Sequence, residues 1–214
     1  MTDGNSDAQR LQMINGQLRT SDVNDLELLA AFAAVPREKF VAASLRPLAY
    51  ADREVLSTGP AGRNLLCPRT LGLMFKAAAP VKGERALTVG AGGGYCAALL
   101  AALGLEVVAL ETDSTAARAA GLIRVECVDG PLNEPPAGKG PFDVIIVNGA
   151  FEIAPDRLLS ALSDNGRLLG VSARSSAKRI VIFERSGAGI SERSLYDAAG
   201  DVLPGLARAP AFAF

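Results

Sequence analysis

Ala86-Leu87-Thr88-Val89-Gly90-Ala91-Gly92-Gly93-Gly94-Tyr95 decides how the rest of this chain is read. A short apolar run ends in glycines. The stretch Tyr95 to Leu103 that follows has the composition of a helix. Strand, glycine turn and helix open a βα unit. Glycine lets such a turn be tight and lets backbone come close to a ligand. The free amides at the start of the helix favour an anion.

Downstream the alternation continues. Glu106 to Leu110 reads as a strand, Ser114 to Ala120 as a helix closed by Gly121, and Arg124 to Val128 as a strand. Phe142 to Val147 is the strongest strand signal. Asp156 to Leu162 then reads as a helix, Asn165-Gly166 as a turn and Arg167 to Val171 as a strand. Continuous apolar strands in repeated βα units predict a parallel sheet covered on both faces. The rhythm then breaks. Only Ala173 to Ala177 separates the fifth strand from Arg179 to Glu184, and Ser186-Gly187-Ala188-Gly189 turns the chain into Ile190 to Tyr196. The expected fold is α/β: a doubly wound, mostly parallel, seven-stranded, Rossmann-like sheet ending in an antiparallel hairpin whose last strand is the antiparallel one.

Upstream the texture is helical. Ser6 and Asp7 open a helix to about Arg19, and Asn24 is placed to cap a second, Asp25 to Val35, stopped by Pro36. Arg37 to Phe40 and Ser44 to Ala49 are short turns. Asp52 to Leu66 reads as loop, with Gly59-Pro60 and Gly62 as breakers, and Pro68 starts a helix to about Ala79. Residues 1–82 are therefore expected to form a helical cap packed on an α/β core of residues 83–214, the two making one structural domain.

The glycine stretch lacks glycine at the sixth position of Gly-x-Gly-x-x-Gly, where Tyr95 stands. Gly90, Gly92 and Gly94 instead form Gly-x-Gly-x-Gly, the pattern of S-adenosylmethionine sites, where no pyrophosphate is seated. Glu111 ends the second strand, 21 positions after Gly90, where a carboxylate can accept both hydroxyls of a ribose. Asp129-Gly130 ends the third strand, where a carboxylate can accept from, or sit beside, an adenine amino group. Thr88 stands where many methyltransferases carry an acidic residue. Tyr95 could line the pocket or simply pack, and Asn148 ends the fourth strand. Thr88, Gly90, Gly92, Gly94, Tyr95, Glu111, Asp129, Gly130 and Asn148 are the expected cofactor-facing set.

Composition narrows the chemistry. The 214 residues contain no histidine, which removes Ser-His-Asp and Cys-His catalysis, His-ligated zinc and an imidazole base. Cys67, Cys96 and Cys127 are odd in number and widely spaced, so a disulfide framework and a metal knuckle are not expected. They read as small buried hydrophobes in a reducing compartment. Lys plus Arg is 22 against 23 for Asp plus Glu, which gives no whole-domain grip on nucleic acid. Met1 to Arg10 is polar, and the longest apolar stretch, Tyr95 to Leu105, is far short of the ~20 residues of a membrane span. The expectation is a cytoplasmic protein without a membrane or nucleic-acid partner.

Several blocks outside the glycine loop carry a resemblance. Gln17-Leu18-Arg19, Val35-Pro36-Arg37-Glu38-Lys39-Phe40-Val41, Leu48-Ala49-Tyr50-Ala51-Asp52, Leu87 to Leu99, Phe142 to Val147 and Gly166-Arg167-Leu168 are similar to the protein-L-isoaspartate O-methyltransferase family. The resemblance runs from about Met13 to Asp197. It implies the Rossmann-like methyltransferase fold, S-adenosylmethionine as cofactor, and a protein or peptide substrate offering a free carboxylate. It also exposes departures. The family's Gly-x-Thr-x-Ser-x-Pro is here Gly62-Arg63-Asn64-Leu65-Leu66-Cys67-Pro68, so Asn64 and Leu66 occupy the positions of its Thr and active-site Ser. Asn148-Gly149-Ala150 replaces Thr-Ala-Ala, and Gly200 to Phe214 replaces a Phe-Val-Pro ending. Arg63 and Arg69 flank Leu66; either could pair with a substrate carboxylate, and each taken alone reads as a solvated surface arginine.

Carboxyl O-methylation suits a chain without histidine, because a carboxylate with a pKa of ~4 is already ionised at neutral pH. Two readings follow from the departures: an enzyme of the isoaspartyl type, or a cofactor-binding homologue without repair activity that acts as a sensor or interaction module. A nicotinamide oxidoreductase is disfavoured by Tyr95.

Overall fold

The computed structural model describes residues 3–59 and 62–209. Pro60, read above as a breaker, and residues 210–214 lie outside them. Helix α1 (Asp3–Met13) runs into a π-helical turn, Ile14–Leu18. Helix α2 (Leu26–Ala34) is capped by Asp25, one residue later than expected, whose carboxylate accepts from the Leu28 N–H at 2.8 Å. Asn24 instead donates to the Asp22 side chain. Val35 is extended ahead of Pro36, as steric clash with a proline ring requires. Arg37–Phe40 and Ala43–Leu48 are 3₁₀ turns. The expected loop between Asp52 and Leu66 holds a small ladder, β1 (Val55–Leu56) antiparallel to β2 (Asn64–Leu65). Helix α3 (Pro68–Ala78) begins on its proline.

The core follows as β3 (Arg85–Val89), α4 (Tyr95–Ala102), β4 (Glu106–Glu111), α5 (Thr115–Ala119), β5 (Val125–Asp129), β6 (Phe142–Phe151), α6 (Asp156–Leu159), β7 (Leu162–Ser172), β8 (Arg179–Ser186) and β9 (Gly189–Asp197). Helix α6 stops three residues short of expectation because Leu162 already pairs with Phe142. The seven strands lie in the order β5-β4-β3-β6-β7-β8-β9. The first five are parallel, and β7–β8 and β8–β9 are antiparallel. Connections too short for a crossover force both reversals. The strand running against the sheet is therefore β8; β9 reverses again, which corrects the expectation that the last strand alone is antiparallel.

The chain grows outward from β3 to β5, then returns to lay β6 on the other side of β3. Their carboxyl ends form the crevice where open α/β sheets take ligands. One face of the sheet shares a continuous apolar core with the N-terminal helices, from Leu18, Phe32 and Phe75 to Ala109, Ile146 and Leu169. The other face is covered more by irregular chain than by helix. Leu132, Leu203 and Leu206 pack there with Leu158 and Leu159 of α6. No helix among the described residues is long and apolar enough to cross a membrane.

Candidate active site

Glu111 closes β4 with its carboxylate fully buried. It accepts from the Gly92 N–H and the Thr112 N–H at 2.8 Å each, and from Thr112 Oγ1 at 3.2 Å. The remaining donor is the Arg63 guanidinium, also at 2.8 Å, from a side chain only 10% exposed. Arg63 is thus no solvated surface residue. Arg69, its counterpart across Leu66, turns away and donates to Ser21 Oγ at 3.1 Å.

The neighbouring strand end behaves differently. Asp129 pairs in register with Glu111 but its side chain is 48% exposed. It accepts from Ser114 Oγ and the Ser114 N–H at 2.7 Å each and from Arg118 at 2.9 Å. The Ser114 hydroxyl first, then the Ser114 amide and Arg118, hold its carboxyl down to about 2. Gly130 follows and donates its N–H to the Glu111 carbonyl.

Gly90, Gly92 and Gly94 all have positive φ (72°, 55° and 98°), which explains why glycine stands there. Part of the close approach they allow is made by the protein itself. A Cβ on Gly93 would lie 2.3 Å from Thr58 Oγ1, and one on Gly59 would lie 2.4 Å from the Gly92 carbonyl carbon. Ser57 to Gly59 therefore lie directly on the glycine loop. Thr88 is buried with its hydroxyl unpartnered. Asn148, also buried, donates to the Gly90 carbonyl at 3.0 Å while its Oδ1 has no donor. Tyr95 sits apart from this edge: it is fully buried beneath the Arg37 guanidinium, 4.9 Å from the ring centre, and beside Phe40. Burial pushes its hydroxyl up to about 12.

A cavity of about 200 Å³ opens beside Asn148 and Gly149 of β6, with Arg63, Asn64, Leu66, Asn148, Asp201 and Leu203 in its wall. Leu66 is 1% exposed. Its carbonyl accepts from Arg37 at 2.7 Å, and Arg37 Nε donates to the Ala49 carbonyl at 2.8 Å. The Val-Pro-Arg block, conspicuous in the sequence but without a role assigned there, thereby fixes the backbone of the Leu66 segment. Burial lowers the Arg37 guanidinium from its ordinary value. Asn64 donates to Asp201 at 2.8 Å. Burial, and then Asp201, raise the Glu54 carboxyl. The chain after β9, to which the sequence assigns no role, reaches the site: Val202 bridges Ala150 and Leu203 fills the space between Gly90 and Gly149. Among the described residues no three His, Cys, Asp or Glu side chains could hold a metal ion. All three cysteines are free; Cys96 is buried and the other two are partly exposed, which corrects the expectation of three buried thiols.

A profile of the protein-L-isoaspartate(D-aspartate) O-methyltransferase family matches residues 9–197. The chain belongs to that family. A protein-L-isoaspartate O-methyltransferase of Methylorubrum populi is 40% identical over 77% of this chain and 79% of its own length. One of Koribacter versatilis is 33% identical over 88% and 86%. A solved protein-L-isoaspartate O-methyltransferase superposes with a TM-score of 0.79 at 22% identity, over 92% of this chain and 67% of that one. A Plasmodium falciparum chain solved in complex with S-adenosyl-L-homocysteine gives 0.75 at 19%, over 90% and 96%. These two establish the fold.

Proposed function

We propose that this protein transfers a methyl group from S-adenosylmethionine to the free carboxylate of an isoaspartyl residue in a protein or peptide. The observation that carries the reading is one continuous edge: Glu111, the glycine loop and Asn148 lead directly into the cavity walled by Leu66. The residues present fit the cofactor. Glu111 suits the ribose hydroxyls, the strand end at Asp129 and Gly130 suits the adenine, and the undonated oxygen of Asn148 suits its polar end. A buried oxygen without a donor is rare in proteins, so Asn148 Oδ1 in the cavity wall favours a ligand that supplies a proton. Bound there, the sulfonium offers an electrophilic methyl group that a carboxylate oxygen takes in line, while the carbon–sulfur electron pair stays on sulfur.

The chain's own part is positioning and exclusion of water. No base is needed, because the acceptor is ionised at neutral pH. Residues 1–82 serve as the cap that shelters the reacting groups. Membership of the O-methyltransferase family favours the enzyme over a non-catalytic cofactor sensor. Three free thiols favour a reducing, cytoplasmic setting.

Leu66 sets the rate. It offers no hydrogen bond where the family resemblance places a serine hydroxyl. Losing one hydrogen bond to a charged group costs roughly 1.5–3 kcal/mol, about ten- to more than a hundredfold in rate if felt wholly in the transition state. Radiolabelled methyl transfer to an isoaspartyl peptide is expected to be slow in the wild type and faster in Asn64→Thr/Leu66→Ser. No transfer by either protein, with cofactor bound, would refute the assignment of the acceptor.

A further inference from the structure

Arg63 lies between the two halves of the site, and its geometry assigns it a job that neither half explains alone. Its guanidinium contacts Glu111, which the cofactor needs, and its side chain is also part of the wall of the Leu66 cavity, which the acceptor needs. Glu111 Oε1 is saturated: Arg63, the Thr112 N–H and Thr112 Oγ1 all donate to it, while Oε2 takes only the Gly92 N–H. A carboxylate offers about four acceptor sites, two per oxygen. A ribose diol that places one hydroxyl on each oxygen therefore finds room on Oε2, and on Oε1 only when Arg63 withdraws and the Thr112 hydroxyl, the longest of the three contacts at 3.2 Å, turns aside. Arg63 Nε, buried and without a partner, shows that the guanidinium is only partly satisfied where it stands.

We propose that Arg63 is a cofactor-coupled acceptor residue. In the free protein it neutralises Glu111; when the ribose takes Glu111, the displaced guanidinium turns into the Leu66 cavity and holds the carboxylate of the substrate. The inference rests on the methyltransferase reading above and adds an order to it, cofactor before peptide. A buried cation released from one carboxylate is strongly disfavoured unless a second anion receives it. The cavity would thus gain a carboxylate-binding cation only after the cofactor is in place. The held carboxylate loses its charge on methylation, so Arg63 grips the ground state at least as tightly as the transition state and contributes to KM, not to kcat.

Calorimetry with S-adenosylhomocysteine and steady-state kinetics on an isoaspartyl peptide test this with Arg63→Gln and Arg63→Met. Both variants are expected to bind S-adenosylhomocysteine several-fold more tightly than wild type and to raise the peptide KM roughly ten- to a hundredfold, the worth of one charge-assisted contact, with kcat unchanged. A merely structural arginine would not move the two constants in opposite senses. Unchanged or weaker S-adenosylhomocysteine binding in folded variants would overturn the proposal. Should both variants fail to fold, the wild type decides. Its affinity for the isoaspartyl peptide should rise at least about tenfold when S-adenosylhomocysteine is saturating, by reciprocal linkage. A peptide with asparagine in place of isoaspartate should show no such rise. Peptide affinity indifferent to S-adenosylhomocysteine would overturn the inference. Failure of the wild type to bind S-adenosylhomocysteine at all would instead sink the methyltransferase reading.

Discussion

Glu111 and Asp129 face each other at the ends of adjacent parallel strands, and both accept bonds from the segment that follows Glu111, yet they belong to different physical regimes. Asp129 is half exposed and satisfied within its own neighbourhood, by Ser114 and Arg118 of the α5 unit. Glu111 is buried, and its cationic partner arrives from 48 positions earlier in the chain. The first carboxylate anchors the start of a short helix. The second ties the glycine loop to the N-terminal layer and to the wall of the cavity. Two acidic residues at equivalent strand ends thus differ in function because one is served locally and the other from a distance.

The sharpest way to break this contrast is to remove the distant layer altogether. A fragment of residues 83–214 lacks the Ser57–Gly59 segment that lies on the glycine loop and bares the face that packs against Phe32 and Phe75. It is expected to be insoluble or to lose S-adenosylhomocysteine binding completely; a soluble fragment with full affinity by calorimetry would show that the layer is dispensable. Next in size is Glu111→Ala. Two hydroxyl contacts to a buried carboxylate, each worth roughly 1.5–3 kcal/mol, make the expected rise in Kd for S-adenosylhomocysteine about a hundredfold or more. The thermal shift that S-adenosylmethionine gives the wild type by mass action should vanish with it. Stabilisation by NAD in place of S-adenosylmethionine would contradict the cofactor.

Asp129→Asn should do far less. The Ser114 N–H keeps an acceptor in the amide oxygen, so the expected fall in Tm is no more than about 4 °C. Cofactor affinity should change by less than for Glu111→Ala; equal losses would erase the distinction between the two strand ends. The smallest effect is one of pH. The Asp129 carboxyl sits at about 2 in the folded chain against an ordinary 3.8, so its contribution is present above that ordinary value and fades as pH falls through the lower one. The Tm difference between wild type and Asp129→Asn should be flat from neutral pH down to about 5 and shrink only in strong acid.

The same division explains how much the sequence disclosed. The order of strands and helices after Arg85 is legible because apolar runs, glycine turns and connection lengths are local signals. The short links before β8 and β9 forced two reversals, although reading them as a single final antiparallel strand missed that β9 turns back. The positions of Glu111 and Asp129 at strand ends followed from the same punctuation, whereas the strand expected to end at Val147 runs on through Asn148 to Phe151. Arg63 did not, because nothing local tells a loop arginine from a solvated one; only the folding of β2 beside the glycine loop buries it. Arg37 stood inside a recognisable block, but its grip on the Leu66 carbonyl depends on a turn whose direction the sequence leaves open. Leu203 was the least visible, being an ordinary leucine in a stretch without pattern.

That leucine restricts which sequences this fold can accept. A Cβ on Gly149 would fall 2.6 Å from Leu203, and one on Gly90 would fall 2.8 Å from it. Gly149 has an ordinary backbone conformation, whereas Gly90 stands at a φ of 72°. Trimming Leu203 to alanine should therefore relieve the side-chain part of the crowding at Gly149, leaving the Asp201 carbonyl oxygen at 2.9 Å to give way, and leave Gly90→Ala still strained. The two glycines look alike in the sequence, but one is held by the Asp201–Leu203 segment lying against it and the other also by its own backbone. Among related sequences, position 149 should vary only where the segment at positions 201–203 varies with it, and position 90 should not vary at all.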